Sequence, residues 1–198
     1  ARFARLKRGL RILENDTIVR FNWNNNPNSL KLKVFNKITK ILGTAISKDY
    51  DKILSFEDKA KKAWSTEIIN EYKKRLQEEN VDVIFITHQR VFSLMPICIA
   101  AKELGIRIVS CIYSWDNIPK ASIGIWANEF LVWSDLMKNE FQLLYPEIEE
   151  KNIIVTGTPQ FEFYKNDKLK QTREEFATRY NLDFNKKWIC FSGDDVKT

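Results

Sequence analysis

Histidine occurs once in this chain, at position 88, cysteine three times, and glycine six times in 198 residues. Those shortages exclude a good deal. Cys98, Cys111 and Cys190 sit in apolar segments at spacings that match no metal motif, and an odd number of thiols argues against a disulfide framework. Reduced, structural thiols in a cytosolic protein are expected, because no neighbouring residue obviously lowers a thiol pKa. The glycines build neither GxGxxG nor GxxxxGK, and HExxH and paired CxxC are absent too, which leaves redox-dinucleotide, P-loop and zinc chemistry without support. No apolar run approaches the roughly 20 residues that cross a bilayer. Residues 1–11 are basic but lack the apolar core and small-residue cleavage site of a signal peptide. A chain opening on Ala1 rather than Met is expected to be a fragment.

What is present is a hydrophobic content of 44%, enough for one large domain or two small ones with a real core. Charge is unevenly placed. Residues 1–62 hold 15 Lys and Arg against 6 Asp and Glu, a net +9, whereas residues 63–198 hold 17 against 20, a net −3. A run of this kind is either a solvated face or a positive field that attracts anionic lipid headgroups or phosphorylated substrates. Nucleic acid is not expected as a partner: neither an RNA-binding aromatic motif nor a helix-turn-helix signature appears, and the charge is confined to one third of the chain.

From Ser55 onward two periods alternate. SFEDKAKKAWSTEIINEYKKRLQEEN (55–80) predicts one long helix capped by Ser55 with Asp58 three positions on, stopped near Asn80. VDVIFIT (81–87) predicts a buried strand. SLMPICIAAKELG predicts a helix with Ser93 as its cap, Pro96 in its first turn and Gly105 at its end. IRIVSCIY (106–113) is a second strand, so strand, helix and strand form a βαβ unit with parallel strands. EFLVWS (129–134) predicts a third strand, DLMKNEFQLLY a helix capped by Ser134 or Asp135, and NIIVTG (152–157) a fourth strand. A capping box from Thr172 to Glu175 opens another helix ending at Asn181, and KKWICFSG starts a fifth strand. The fold class this predicts is α/β, a Rossmann-like parallel sheet flanked by helices. Over the first 54 residues, FARLKRGLRIL reads as helical, DTIVRFNWN as strand-like and NNNPNS as a turn cluster. Leu30 to Leu42 forms a basic amphipathic helix, packed on its own core or laid on a membrane surface.

In an open parallel sheet, ligands bind at the carboxyl edge of the strands. Three polar clusters follow the predicted strands directly: Thr87, His88, Gln89 and Arg90; Ser114, Trp115, Asp116, Asn117 and Lys120; and Thr156, Gly157 and Thr158. Each has a plain structural reading. A lone His at a strand end is commonly a hydrogen-bonded structural residue, Asp116 and Asn117 suit an Asx-turn, Trp115 suits a core, and Gly157 a tight turn. Taken as a set, an aromatic plane beside hydrogen-bonding groups and a cation suits a sugar ring or a phosphate.

SWDNIPKASIGIWANEFLVWSDLMKNEF followed by IIVTGTPQFEFY resembles the N-terminal domain of bacterial GT-B fold glycosyltransferases and surface-polysaccharide biosynthesis proteins. The likeness is carried by Ser114, Trp115, Asp116, Asn117, Lys120, Val132, Trp133, Val155, Thr156, Gly157, Pro159 and Phe161, spans residues 81–193, and departs at Ala121, where the family often has Gly. The resemblance implies two Rossmann-like domains across a cleft, with residues 1–183 as the acceptor domain and 184–198 the start of the nucleotide-sugar-binding domain. It implies a transferase that moves a sugar from a nucleotide-sugar donor to a cell-surface glycan or lipid-linked acceptor, with no metal or other cofactor, this chain being the acceptor half and inactive alone. If the enzyme inverts, Asp116 or His88 would be the catalytic base; Gln89, Ser114, Trp115, Asn117, Lys120, Thr156, Gly157 and Thr158 would bind substrate. A sugar-nucleotide 2-epimerase or a glycerophosphotransferase of the same fold is an alternative, and a non-catalytic basic module binding anionic membrane or nucleic acid through residues 1–62 is another. The implied location is cytoplasmic, at the inner face of the membrane.

Overall fold

In the computed structural model of the chain, residues 2–13, 29–119 and 123–191 are described. The short β-branched runs of the middle of the chain form β1 (Val83–Ile86), β2 (Arg107–Cys111), β3 (Glu129–Val132) and β4 (Ile153–Val155). They pair in the order β1-β2-β3-β4, parallel at every step. The helices are α1 (Arg2–Leu13), α2 (Leu30–Ile46), α3 (Tyr50–Lys61), α4 (Thr66–Glu78), α5 (Met95–Glu103), α6 (Asp135–Leu144) and α7 (Arg173–Tyr180). This is a Rossmann-like α/β arrangement. No helix among the described residues is long and apolar enough to cross a membrane. The chain divides into two compact units, residues 1–157 with the whole sheet and residues 158–198.

Two buried clusters hold the first unit. Met95, Cys98 and Ala101 of α5 pack with Leu76 of α4, Ile86 of β1 and Ile108 of β2. Phe130 and Val132 of β3 and Ile153 of β4 pack with Met137, Phe141 and Leu144 of α6. α6 buries one stripe, Met137, Phe141 and Leu144, and the inner strands β2 and β3 bury alternate residues, as these periods require. Ser134 caps α6 by accepting from the Met137 amide at 3.3 Å, and α7 has the expected capping box on Thr172 and Glu175, ending at Asn181 with φ 52°.

Several expectations are corrected. The helix expected over 55–80 is two helices: α3 is capped by Asp49, so Ser55 lies inside it, and Ser65 starts α4 by accepting from the Ile68 amide. The apolar period survives the break because Trp64 turns inward between them and packs on Phe92, centroids 5.5 Å apart. Ser93 lies in a 3-10 turn (Phe92–Leu94) ahead of α5 and does not cap it. Among the described residues β1 is an edge strand, not a buried one, with Val83 51% and Phe85 58% exposed. Lys187 to Phe191 forms no strand among the described residues. Ile189 and Phe191 are exposed, and no neighbouring strand pairs with the segment. The strand-like stretch 16–24 and most of the following turn cluster lie outside the described residues.

Three guanidiniums of α1 are engaged with the rest of the first unit. Arg5, 5% exposed, donates to Glu57 at 2.5 and 2.6 Å, to Glu147 at 2.6 Å and to the Leu144 carbonyl at 3.2 Å. Arg8 donates to the Leu143 and Leu144 carbonyls, and Arg11 to Ser47. Two guanidiniums thus satisfy carbonyls in the last turn of α6, where an unpaired acceptor and a helix dipole both favour a cation. Burial alone would lower the Arg5 guanidinium, but the bond to Glu57 and the attraction of both carboxylates raise it above its ordinary value.

Candidate functional site

The strand order rises without reversal, so the described sheet has no switch point of the doubly wound kind. What gathers side chains is adjacency: β1 and β2 are neighbours with the same direction, and the loops after them leave side by side. Two contacts tie those loops. The His88 and Tyr113 rings stack with centroids 5.9 Å apart and planes 14° from parallel, and the Arg90 guanidinium donates to the Asn117 side-chain oxygen at 3.3 Å.

On the β1 side, His88 is exposed, and its Nδ1 lies 3.0 Å from the Thr87 hydroxyl. Gln89 lies beneath the rim, 1% exposed, and its carbonyl accepts from the Gly124 amide at 2.7 Å. The crossing is close: a Cβ on Gly124 would stand 3.1 Å from the Arg90 carbonyl oxygen. The Gln89 side-chain nitrogen is buried without a hydrogen-bond partner among the described residues. On the β2 side, Trp115–Asn117 forms a single 3-10 turn, with the Ser114 carbonyl accepting from the Asn117 amide at 3.0 Å. That turn aims its members differently: Trp115 is 57% exposed, Asp116 half-buried and Asn117 8% exposed. Tyr113, just ahead, is 58% exposed.

The third cluster is at the same edge but not in the same group. Thr156 donates from its amide to the Val132 carbonyl at 2.9 Å, and Gly157 turns the chain with φ 82°, a region that disfavours any side chain. With β3 between them, β4 lies two strand spacings from β2, about 10 Å. Thr158 opens the second unit as the residue before the Pro159–Lys165 3-10 segment. Lys120 lies outside the described residues.

Two rim residues carry roles that the sequence reading did not assign: Arg90, which bridges the loops, and Tyr113, which stacks on His88. Their signal was positional, since both adjoin polar clusters that directly follow strands. Burial, and after it the positive charge of nearby Arg90, lowers the Arg2 guanidinium. The rim is therefore aromatic and cationic with one carboxylate, a composition suited to stacking a planar or ring-shaped group and holding an anion beside it. Among the described residues no group of three or more His, Cys, Asp or Glu gathers to hold a metal ion.

A separate cavity of about 260 Å³ is lined by Arg5, Lys61, Trp126, Tyr145 and Glu147 among others, and by none of the expected site residues. Burial pushes the Tyr145 hydroxyl up and the Lys61 ammonium down. Arg5, Glu57 and Glu147 already satisfy one another along its wall.

In comparison with known proteins, no family model, curated protein or solved structure matches this chain.

Proposed function

We propose that this chain is the acceptor-side half of a GT-B type glycosyltransferase, moving a sugar from a nucleotide-sugar donor to a cell-surface glycan or lipid-linked acceptor. The observation that carries the reading is the convergence of His88, Tyr113, Trp115, Asp116, Asn117 and Arg90 on one rim, from two loops at the carboxyl edge of a parallel sheet. In an inverting course the acceptor hydroxyl attacks the anomeric carbon, its proton passes to a base, and the nucleoside diphosphate leaves. His88 suits the base: it is exposed, its ring is held by Tyr113 on one face, and in the tautomer whose Nδ1–H donates to the Thr87 hydroxyl its Nε2 is the nitrogen that takes the proton. Asp116 is the second candidate for that proton. Exposed Trp115 and Tyr113 offer planes for a sugar ring, and Arg90 a charge for the diphosphate.

The test uses the intact protein, a panel of nucleotide sugars and release of nucleoside diphosphate as the readout. Turnover on one donor is expected, with His88→Ala or Asp116→Asn lowering kcat by about 100-fold or more while the thermal midpoint stays put. Unchanged rates in both variants would remove the base assignment, and no turnover with any nucleotide sugar would remove the reading itself.

A further inference from the structure

The longest described helix of the N-terminal third presents an apolar stripe that no described residue of its own unit covers. On α2, Leu30, Val34, Ile38, Ile41 and Leu42 recur every three or four residues and are 78%, 51%, 51%, 62% and 56% exposed. The side that does pack is another one. Gly43 is buried against α1, so tightly that a Cβ there would stand 2.6 Å from a ring carbon of Phe3 and 3.3 Å from the Ala4 amide nitrogen. At 100° per residue Gly43 faces about 160° away from the middle of the exposed stripe. Contact with α1 therefore fixes α2 with its apolar side outward.

The charge of the helix identifies what fits there. α2 has no Asp or Glu, and Lys33 and Lys37 border the stripe while Lys31 stands at its start; all three are exposed. Arg5, Arg8 and Arg11 of α1 are engaged with carboxylates, α6 carbonyls and Ser47, whereas these three ammonium groups of α2 stand exposed beside the stripe. A second copy of the chain laid on the stripe would bring lysines against lysines with no acid on the helix to offset them. A peptide partner would find a convex cylinder with no groove. A lipid–water interface suits a convex helix of about 26 Å, too short in its apolar run to span and bordered by lysines able to reach headgroups.

We infer that α2 is an interfacial helix that docks the chain on anionic membrane, its stripe among the acyl chains and its lysines among phosphate headgroups. This does not rest on the glycosyltransferase reading; it uses a different helix and different residues.

Cosedimentation of the full chain with vesicles of phosphatidylcholine alone, and of phosphatidylcholine with about one-third phosphatidylglycerol, tests it. Retention is expected on the anionic vesicles only, and is expected to fall with salt. Each lysine near an anionic surface contributes about fivefold in partitioning, so K33E/K37E should lower retention at least about tenfold. Ile38→Ser with Ile41→Ser should lower it as well, with helix content by circular dichroism unchanged because both positions are already exposed. Equal retention on the two compositions, or none on either, overturns the inference. A concentration-dependent dimer that the Ile38/Ile41 variant abolishes overturns it too, and gives the stripe to a second copy.

Discussion

Arg90 and Asn117, 27 residues apart, meet at 3.3 Å, and this hydrogen bond joins the loop after β1 to the loop after β2. Asn117 is nearly buried, so removing its side chain takes away the acceptor and leaves the donor less well satisfied. Asn117→Ala should cost about 1 to 2 kcal/mol in urea denaturation. In a cycle with Arg90→Ala the coupling should be about 1 kcal/mol. Additive losses would mean that the two loops are held independently.

Arg5 has a larger effect because it answers two carboxylates and a carbonyl from a position that water barely reaches. Arg5→Ala should cost about 3 to 5 kcal/mol by urea denaturation, most of it from stranding Glu57 and Glu147 beside each other. Arg5→Lys should recover little. A single ammonium cannot reproduce the planar fork that reaches Glu57 through two nitrogens while a third direction serves the Leu144 carbonyl.

Gly43 sets two effects against each other. Alanine is favoured over glycine inside a helix by about 1 kcal/mol, yet at this position the new Cβ would run into Phe3 and the α1 backbone. The steric effect should win, so Gly43→Ala should lose about 1 to 3 kcal/mol. The loss should shrink in a Phe3→Ala background, measured as a double-mutant cycle by thermal denaturation, because the nearest obstruction is then gone.

The four strands were legible because each is a compact apolar run followed by polar residues, and parallel pairing followed from the helices between them. Legibility failed where a local signal meets a tertiary fact. Ser55 followed by Asp58 looks like a helix start, but Asp49 had already capped α3, and a side chain inside a helix cannot serve an end it does not have. The break before Ser65 was hidden because Trp64 packs inward and preserves the apolar spacing across it. Phe85 reads as core from its neighbours in sequence; only the strand order reveals that β1 is at an edge of the described sheet. At the rim, the prominence of His88 as the sole histidine and of the Trp115–Asn117 turn was visible in the sequence. The pairing of His88 with Tyr113 and of Arg90 with Asn117 was not, because it depends on which strands are neighbours and on where each loop turns. The same holds for the charge of α1, which sums to a positive field in sequence and is largely engaged by α3, α6 and the residues around them in space.

Cys98 gives a prediction with a pH signature. It is fully buried in the α5 core, and burial pushes its thiol from the ordinary 9.0 up to about 11, against a smaller opposing effect of a backbone hydrogen bond from Trp126. Unfolding exposes the thiol and restores the lower value. Below about pH 9 both states hold the proton and the thiol adds no slope; between about 9 and about 11 only the unfolded state ionises, so stability falls as pH rises. The loss over that window is about 2 to 3 kcal/mol. Cys98→Ala should be less stable at neutral pH because it leaves a small void, but its stability should decline less steeply from pH 8.5 to 11. The hydroxyls of half-buried Tyr50 and buried Tyr145, which also ionise harder in the folded state, are common to both proteins and drop out of the comparison. Alkylation at pH 8 gives the matching kinetic result: exposed Cys190 should react at once, half-buried Cys111 slowly, and Cys98 only at the rate at which the first unit opens. Equal modification of Cys98 and Cys190 in the native protein would show that α5 does not stay packed against β1 and β2.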